Sequence, residues 1–192
     1  MVIGVMRVRP KILKFTALFI GLFLIWLIWR LLPENRYNQQ IRAAAARYHV
    51  DPTLVKAVVW RESRFRPGAR GTKGEIGLMQ VQEWAAQEWA DAEHIKGFQH
   101  ECCSDPKTNT LAGTYYLSQL LKRYARTDNP VPYALAAYNA GRGNVLKWNT
   151  GAAATESAVF IDQIGFPSTK QYVKAIMRRQ RLYRILAGLR LG

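Results

Sequence analysis

Residues 50–63 read VDPTLVKAVVWRES, and this segment has the pattern of an amphipathic helix that ends on an acidic residue. Asp51 is a good N-cap and Pro52 is a good first helical residue, so we predict a helix that begins there. One row of that helix, spaced at i, i+4 and i+8, consists of Leu54, Val58 and Glu62. The pattern therefore predicts a carboxyl group on the buried stripe of the helix.

The predicted position of Glu62 favours its protonated form. Burial disfavours a charged carboxylate that has no partner, and the helix C-terminus carries a partial negative charge that disfavours a second one. Both effects raise the pKa of the carboxyl group toward neutrality, which a general acid for glycosidic cleavage requires. The alternative is a structural ion pair with a neighbouring arginine, namely Arg61, Arg64 or Arg66.

The whole chain is long enough for one domain and an appendage, with 192 residues of globular composition. Hydrophobic residues make up 49% and charged residues 21%, which excludes a disordered or low-complexity protein. Its 28 Lys and Arg outnumber its 13 Asp and Glu, for a formal charge of +15. Such a balance indicates an anionic partner: nucleic acid, an acidic membrane or an acidic polymer.

Residues 1–32 have the composition of a membrane anchor. We predict a basic cytoplasmic N-terminus at 1–14 and a transmembrane helix at 15–32, which would span about 27 Å of a roughly 30 Å hydrocarbon core. The basic residues before the apolar run are Arg7, Arg9, Lys11 and Lys14. They predict that everything after residue 32 lies outside the cytoplasm. A cleavable signal peptide is the alternative, but no Ala-x-Ala site directly follows the run.

The exported part remains basic. Residues 33–192 keep 23 of the basic residues and all 13 acidic ones, a formal charge of +10. Outside the cytoplasmic membrane we expect no nucleic-acid partner, and a cytoplasmic DNA-binding role requires the anchor prediction to be wrong. A cell-wall polymer with free carboxylates and an anionic lipid surface remain equal alternatives for the basic last helix. Its cations are Lys170, Lys174, Arg178, Arg179, Arg181 and Arg184.

Helical patterns dominate after the predicted linker at 33–39, and residues 40–192 are predicted to form one all-α domain. The predicted helices cover 39–48, 52–64, 78–93, a segment from Asp105-Pro106 to Tyr124, 130–140 and 169–191. The last helix is expected to turn Tyr172, Ile176 and Tyr183 inward. Residues 71–77 form a glycine-rich loop suited to close backbone approach to a ligand, with a small hairpin nearby.

A cluster of His and Cys residues lies at His94, His100, Cys102 and Cys103. These side chains are common zinc ligands, but two adjacent cysteines fit one tetrahedral site poorly. A vicinal or intermolecular disulfide is the alternative in an oxidising compartment. We predict no metal site and no cofactor, and we interpret His49 as structural.

Several segments together resemble the SLT-type lytic transglycosylases of glycoside hydrolase family 23, over roughly residues 40–185. In order, they are Glu62-Ser63, residues 77–80 (GLMQ), Asp105-Pro106 with Asn109 and Gly113, residues 136–141 (AAYNAG), and residues 169–173 (TKQYV). The resemblance implies a lysozyme-like all-α domain with a groove for glycan strands. It also implies cleavage of the β-1,4 bond between N-acetylmuramic acid and N-acetylglucosamine, with 1,6-anhydromuramoyl ends as products.

The resemblance also implies roles for individual residues. Glu62 is the expected catalytic acid/base. Ser63, Gln80 and Tyr138 are expected to line the site beside it. Asn139 and Tyr172 are expected to hold the substrate or orient Glu62, and Met79 to form a groove wall. Core packing is the alternative role for Tyr138, Tyr172 and Met79.

One carboxylate suffices for such a reaction if the N-acetyl group assists departure of the leaving group and the 6-hydroxyl of the sugar replaces water. Two positions depart from the family pattern. Ser168 stands where many members carry Glu, which affects a hydrogen bond or a subsite. Glu75 lies in the glycine loop, where we expect a solvated surface charge. If Glu75 instead faces the groove, it is a second carboxylate that favours simple hydrolysis.

Taken together, the sequence predicts a lytic transglycosylase anchored in the cytoplasmic (inner) membrane with its domain in the periplasm or cell-wall space. Its predicted partners are peptidoglycan glycan strands and the membrane. The alternatives are a hydrolytic muramidase of the same fold and a non-catalytic wall-binding protein. Whether secretion or cell-wall machinery is a further partner stays open.

Overall fold

The computed structural model describes residues 19–24 and 33–188. The chain divides into two compact units, the first ending at Arg36 and the second beginning at Tyr37. In the first unit, residues 19–24 and Pro33–Arg36 are helical. Within the described ranges no helix has the length and apolar character needed to span a membrane. The predicted N-terminus at 1–14 and the remainder of the predicted anchor lie outside the described residues.

The described part of the second unit contains eight α-helices and two short 3₁₀ helices. The α-helices are α1 (Asn38–Tyr48), α2 (Pro52–Ser63), α3 (Glu83–Ala92), α4 (Pro106–Arg123), α5 (Pro130–Ala140), α6 (Arg142–Trp148), α7 (Ser157–Gln163) and α8 (Pro167–Gly188). The 3₁₀ helices are His100–Ser104 and Gly151–Ala154. Among these residues, β-pairing is confined to two isolated bridges that share Ile76, so the all-α prediction is confirmed.

Two of the helices begin at the predicted aspartate caps. The Asp51 carboxylate accepts from the backbone N–H of Thr53 at 2.8 Å, and the Asp105 carboxylate accepts from that of Thr108 at 2.8 Å. Each satisfies an otherwise unpaired N–H of the first turn. Asp51 also accepts from Arg184 Nη2 at 2.6 Å, so this cap fastens α8 to the start of α2.

The core is centred on α5, which packs against α4, α6, α7 and α8. Its sequence is apolar on nearly all sides, as expected of a helix surrounded by others. Within the unit, α8 also packs along α2, and α4 packs against α1 and α3. Every buried hydrophobic residue of the described core lies between residues 37 and 183. Residues 33–192 contain all of that described core, so we expect them to fold without residues 1–32.

The last helix begins at Pro167, two residues before the predicted start. Tyr172, Ile176 and Tyr183 are buried, as predicted from their spacing. The predicted helix end at residue 191 lies outside the described residues.

The helix predicted at residues 78–93 is wrong in its first turn, since α3 begins only at Glu83. Gly77 and Gln80 adopt left-handed backbone conformations, with φ of 79° and 48°, which a right-handed helix cannot contain. The two residues between them, Leu78 and Met79, are fully buried. The apolar pair is buried, as expected of a helix in the core, but it lies in a turn and not in a helix.

That turn is held by one side chain, Asn109 of α4, which is completely buried. Its Oδ1 accepts from the backbone N–H of Met79 at 2.8 Å. Its Nδ2 donates to the carbonyl oxygens of Ile76 and Cys103, both at 2.8 Å. A side chain at Gly77 would collide with this amide. The predicted hairpin is present in minimal form, because Ile76 and Val81 exchange backbone hydrogen bonds of 3.1 and 3.0 Å.

We predict that Asn109→Ala destabilises the protein by about 3 kcal/mol, because the buried Met79 N–H and Cys103 carbonyl lose the partner that Asn109 provides. Asn144→Ala is the matched control: Asn144 is half-buried and donates to one carbonyl, that of Ala140, at 2.8 Å. We expect the control to cost less than about 1 kcal/mol. Urea denaturation of residues 33–192 measures both, and equal losses would show that the buried amide does not hold the turn.

Candidate functional site

A cleft opens on one side of the second unit, where α2, the glycine-rich loop and the helices α3, α4 and α5 meet. Its lining residues are Glu62, Gly71, Thr72, Glu75, Gln80, Val81, Gln82, Trp84, Ala85, Tyr116, Tyr138 and Asn139. They combine two carboxyl groups, several amides and three aromatic side chains. Such a mixture suits a polar ligand with flat faces, such as a sugar.

Glu62 lies at the base of this cleft, in the last turn of α2. Leu54 and Val58 of its row are buried, and Glu62 is half-buried where that row reaches the cleft. Burial raises the pKa of the carboxyl group to about 7, assisted by the charge of Glu75 and opposed by a Tyr172 hydrogen bond and the charge of Arg61. A substantial fraction of Glu62 is therefore protonated near neutral pH, as predicted.

The ion-pair alternative for Glu62 has no counterpart among the residues that the structure describes. The Arg64 guanidinium stacks on the Trp60 ring at 3.9 Å. Arg66 Nε donates to the Ser63 carbonyl at 3.0 Å. Arg61 lies over the Tyr172 ring, 5.3 Å from its centroid.

The partner of Glu62 is a hydroxyl group. The Tyr172 O–H, from the buried face of α8, donates to Glu62 Oε1. Burial and the nearby Glu62 charge raise the pKa of Tyr172 well above its usual value, so the phenol keeps its proton and acts as a donor. This hydrogen bond joins residues 110 positions apart and sets the direction of the carboxyl group.

Three more predicted site residues line the cleft with their orientations fixed. Tyr138 O–H donates to the Met79 carbonyl at 2.8 Å, and burial raises the pKa of that phenol well above its usual value. Gln80 Nε2 donates to the carbonyls of Ala69 and Gly77 at 3.0 and 2.9 Å. Asn139 Oδ1 accepts from the hydroxyl group of Thr169 at 2.8 Å. These contacts orient the side chains before any ligand arrives.

The structure does not bring Ser63 and Met79 into the cleft lining. Ser63 is buried, and its hydroxyl group donates to the Leu78 carbonyl at 2.8 Å, which ties α2 to the buried turn. The Met79 side chain is fully buried and points at Gly113 of α4. Any side chain at Gly113 would overlap the Met79 side chain, with its Cβ 2.7 Å from the sulfur. Both residues thus hold the buried turn in place next to the cleft and do not face the cleft themselves.

Glu75 lies in the cleft lining, so the expectation of a solvated surface charge is corrected. Burial opposes its ionisation. Hydrogen bonds from backbone N–H groups, including that of Lys73 at 2.9 Å, and from the Gln82 side chain nevertheless hold the pKa of Glu75 below its usual range. The other departure, Ser168, is exposed at the start of α8. The cleft therefore contains one carboxyl group poised near neutrality and one that is ionised.

The His and Cys cluster forms no metal site in the described ranges, where no three His, Cys, Asp or Glu side chains are grouped to hold an ion. Both thiols are free; Cys102 is exposed and Cys103 is buried. Burial raises the pKa of Cys103 to about 12. His100 Nε2 lies 2.9 Å from the Val81 carbonyl. His49 is structural, because it ends α1 in a left-handed conformation with φ of 55°.

Residues 39–161 match the family described as Transglycosylase SLT domain. The chain belongs to that family. Among curated proteins it is similar to the soluble lytic murein transglycosylase of Escherichia coli (strain K12), with 28% identity over 84% of this chain and 25% of the relative. It is also similar to the membrane-bound lytic murein transglycosylase C of Pectobacterium atrosepticum, with 35% identity over 66% of this chain and 39% of that protein. The chain thus spans about a quarter to two fifths of these relatives.

Solved structures place the SLT domain in the same fold. The 70-kDa soluble lytic transglycosylase of Escherichia coli superposes with a TM-score of 0.71 and 28% identity, over 84% of this chain and 26% of that one. An inactive glutamate-to-glutamine mutant of the lytic transglycosylase Slt from Pseudomonas aeruginosa superposes with a TM-score of 0.71 and 27% identity. The match covers 78% of this chain and 24% of that one. The Escherichia coli enzyme in complex with bulgecin A gives 0.72.

Three residues of this SLT domain have functional positions that the sequence analysis did not assign. Trp84 and Tyr116 line the cleft and meet edge to face, with ring centroids 4.9 Å apart. Trp84 is 50% exposed, and an exposed large aromatic side chain is typical of a binding surface, but this exposure is visible only in the structure. Asn109 belongs to the Asp105-Pro106 motif, which by itself does not indicate its role. Its three-way bonding depends on chain segments that meet only after folding.

The raised pKa of Glu62 predicts a pH-dependent stability. A carboxyl group with a folded pKa of about 7 and an ordinary value of 4.5 contributes stability below pH 4.5, and the contribution is lost as the pH rises through 7. Glu62→Gln removes the buried charge. We therefore expect the variant to gain stability relative to the wild type between about pH 5 and about pH 8. Thermal unfolding of residues 33–192 at both pH values measures this gain.

Glu83→Gln serves as the matched control for that experiment, since Glu83 is exposed and lies in the first turn of α3. Its stability difference from the wild type is expected to stay constant over the same pH range. A Glu62→Gln difference that is equally constant would mean that the Glu62 carboxyl group titrates normally.

Proposed function

We propose that this protein is a peptidoglycan lytic transglycosylase in which Glu62 is the single acid/base. The reaction cleaves the β-1,4 bond between N-acetylmuramic acid and N-acetylglucosamine and forms a 1,6-anhydromuramoyl end. The observation that carries the proposal is a carboxyl group with a pKa of about 7, held by Tyr172 at the base of a cleft lined with aromatic and amide side chains. Membership of the SLT family and the names of the murein transglycosylase relatives support it.

In the first step, protonated Glu62 donates its proton to the glycosidic oxygen, and the bond from that oxygen to the anomeric carbon breaks with assistance from the N-acetyl group. In the second step, the 6-hydroxyl oxygen of the same sugar attacks the anomeric carbon and displaces the N-acetyl oxygen that bonded to it in the first step. The Glu62 carboxylate accepts the hydroxyl proton. The acid is thereby regenerated and no water is consumed. A pKa near 7 serves both steps, because donor and acceptor forms are then both accessible.

The surrounding side chains have distinct proposed roles. The Tyr172 O–H donates to Glu62 Oε1 and so stabilises the carboxylate formed after the first step. Trp84, which is 50% exposed, offers an apolar face on which a sugar ring can stack, and the buried Tyr116 packs edge to face against it. Gln80 and Asn139 offer amide groups to hydroxyl and N-acetyl substituents. Ser63 and Met79 are proposed to act on substrate only through the turn and helix that they support.

A second candidate, a hydrolytic muramidase of the same fold, is favoured by the place of Glu75. An ionised carboxylate in the same cleft is what a general base needs to activate water. Against this candidate, hydrogen bonds from the glycine-rich loop and from Gln82 hold the Glu75 carboxylate against the cleft wall. Such a fixed carboxylate is better suited to binding substrate than to activating water. The two candidates differ in their products: only the transglycosylase leaves anhydro ends.

We further propose that residues 15–32 anchor the protein in the cytoplasmic membrane, with residues 1–14 in the cytoplasm, 33–39 as a connector and the domain from residue 40 in the periplasm. The apolar run and the basic residues before it support this arrangement. A relative named as membrane-bound is consistent with it, although soluble relatives match as well. Anchoring would confine cleavage to peptidoglycan close to the membrane.

Mass spectrometry of the muropeptides released from purified peptidoglycan by residues 33–192 tests the reaction. We expect anhydromuramoyl products from the wild type. We expect Glu62→Gln to lose at least ~10²-fold in rate, because the general acid is gone, while circular dichroism shows an intact fold. Glu75→Gln is the matched control and should retain anhydro products.

Reducing-end products together with an inactive Glu75→Gln variant would replace this proposal with the hydrolase. Near-wild-type turnover by Glu62→Gln would place the acid elsewhere. Absence of release by a folded wild-type protein would favour a non-catalytic wall-binding role.

The anchor is tested on the full chain in cells. Protease added to spheroplasts is expected to digest the domain, whereas the domain in intact cells should stay protected. After cell lysis, the protein should sediment with the membranes. Release of the protein into the soluble fraction, with a mass that begins after residue 32, would show a cleaved signal peptide. Protection in spheroplasts would place the domain in the cytoplasm.

A further inference from the structure

The last helix, α8, has one face buried in the domain and an opposite face exposed to solvent. Successive helical residues are about 100° apart, so Lys174 points about 200° away from Tyr172, which contacts Glu62. We define the outer face of α8 by the residues that share the direction of Lys174: Lys170, Lys174, Arg178, Arg181, Leu182 and Ile185. All six are exposed except Lys170, which is half-buried.

The cations of the outer face are largely unused by the fold. Lys170 Nζ donates to the backbone carbonyl of Asp162 at 2.7 Å, and Lys174, Arg178 and Arg181 have no ion-pair partner among the described residues. The other two cations of this helix are structural. Arg184 is paired with Asp51, and the Arg179 guanidinium lies 4.8 Å from the Trp60 ring centroid. The helix thus separates its basic residues into structural ones and free ones.

The outer face also exposes aliphatic side chains between and beyond these cations. Leu182 is 42% exposed and Ile185 is 56% exposed. Beside them, Ile161 and Met177 line a shallow groove between α7 and α8 whose edges are the same cations. Cations interleaved with exposed aliphatic side chains on one helix are typical of helices that lie in the interface of an anionic membrane.

We propose that the outer face of α8 binds the surface of a membrane that contains anionic phospholipid. The cations attract the headgroup phosphates, and the aliphatic side chains enter the boundary between headgroups and acyl chains. An acidic glycan-peptide polymer would satisfy the cations but would leave Leu182 and Ile185 in contact with water. Because the cleft lies on the opposite side of α8, a domain bound in this way keeps Glu62 open to substrate. The proposal depends neither on the reaction assigned to Glu62 nor on the anchor at residues 15–32.

Co-sedimentation with phospholipid vesicles tests the proposal, using residues 33–192 so that the predicted anchor is absent. We expect binding to vesicles of phosphatidylcholine mixed with phosphatidylglycerol, and little binding to phosphatidylcholine alone. The triple variant Lys174→Glu, Arg178→Glu and Arg181→Glu should weaken binding to the anionic vesicles at least tenfold, given roughly 1 kcal/mol for each basic residue near such a surface. Turnover of soluble glycan fragments should be unchanged.

A matched triple variant separates the outer face from overall charge. Lys96→Glu, Lys122→Glu and Arg126→Glu change the net charge equally at exposed positions away from α8. This control should keep wild-type vesicle binding. Leu182→Ser combined with Ile185→Ser should weaken binding by a similar factor at low and at high salt. The loss caused by the α8 triple variant should instead shrink at high salt, because only the electrostatic part of binding is screened.

Three outcomes overturn the proposal. The first is that the wild type does not bind anionic vesicles. The second is that the two triple variants lose binding equally, so that binding follows net charge alone. The third is that the α8 triple variant keeps vesicle binding but loses binding to purified peptidoglycan. The last outcome would assign the outer face to the acidic wall polymer.

Discussion

The Glu62 carboxyl group lies where water cannot fully hydrate its charge, and much of the domain is arranged around that constraint. It stands at the end of a helix row whose earlier members, Leu54 and Val58, are completely buried. Desolvation raises its pKa to about 7, and the hydrogen bond from Tyr172 and the charge of Arg61 limit the rise. The protein thereby keeps an acid that exchanges protons near neutral pH without an ion pair that would hold it ionised.

Holding that acid in place requires α2 and α8 to stay in register. The Asp51 cap is bonded to Arg184 at one end of their contact, and Tyr172 reaches Glu62 at the other. Asp51 therefore stabilises the first turn of α2 and the packing of α8 with the same carboxylate. A displacement of α8 would change both the helix cap and the partner of the acid, which couples the stability of this helix pair to the geometry of the site.

The opposite wall of the cleft depends on a buried turn that replaces a helix. Asn109 bonds three backbone groups of the segments around Gly77, and Met79 fills the space that Gly113 leaves on α4. That turn presents the Met79 carbonyl to Tyr138 and sets Gln80 at the cleft. Small residues and one buried amide therefore position the groups that face the substrate, although they do not face it themselves.

The sequence by itself determined the helical class, the starts of α2 and α4, and the presence of an acid on a buried stripe, because caps and a period of 3.6 residues are local properties. The family was also evident from short motifs in order. Only the tertiary structure decided which groups meet. Tyr172 reaches Glu62 from 110 positions away, Met79 turns inward because Gly113 has no side chain, and Glu75 faces the cleft. Local periodicity determines which face of a helix is buried, whereas the partner on that face depends on how distant segments pack.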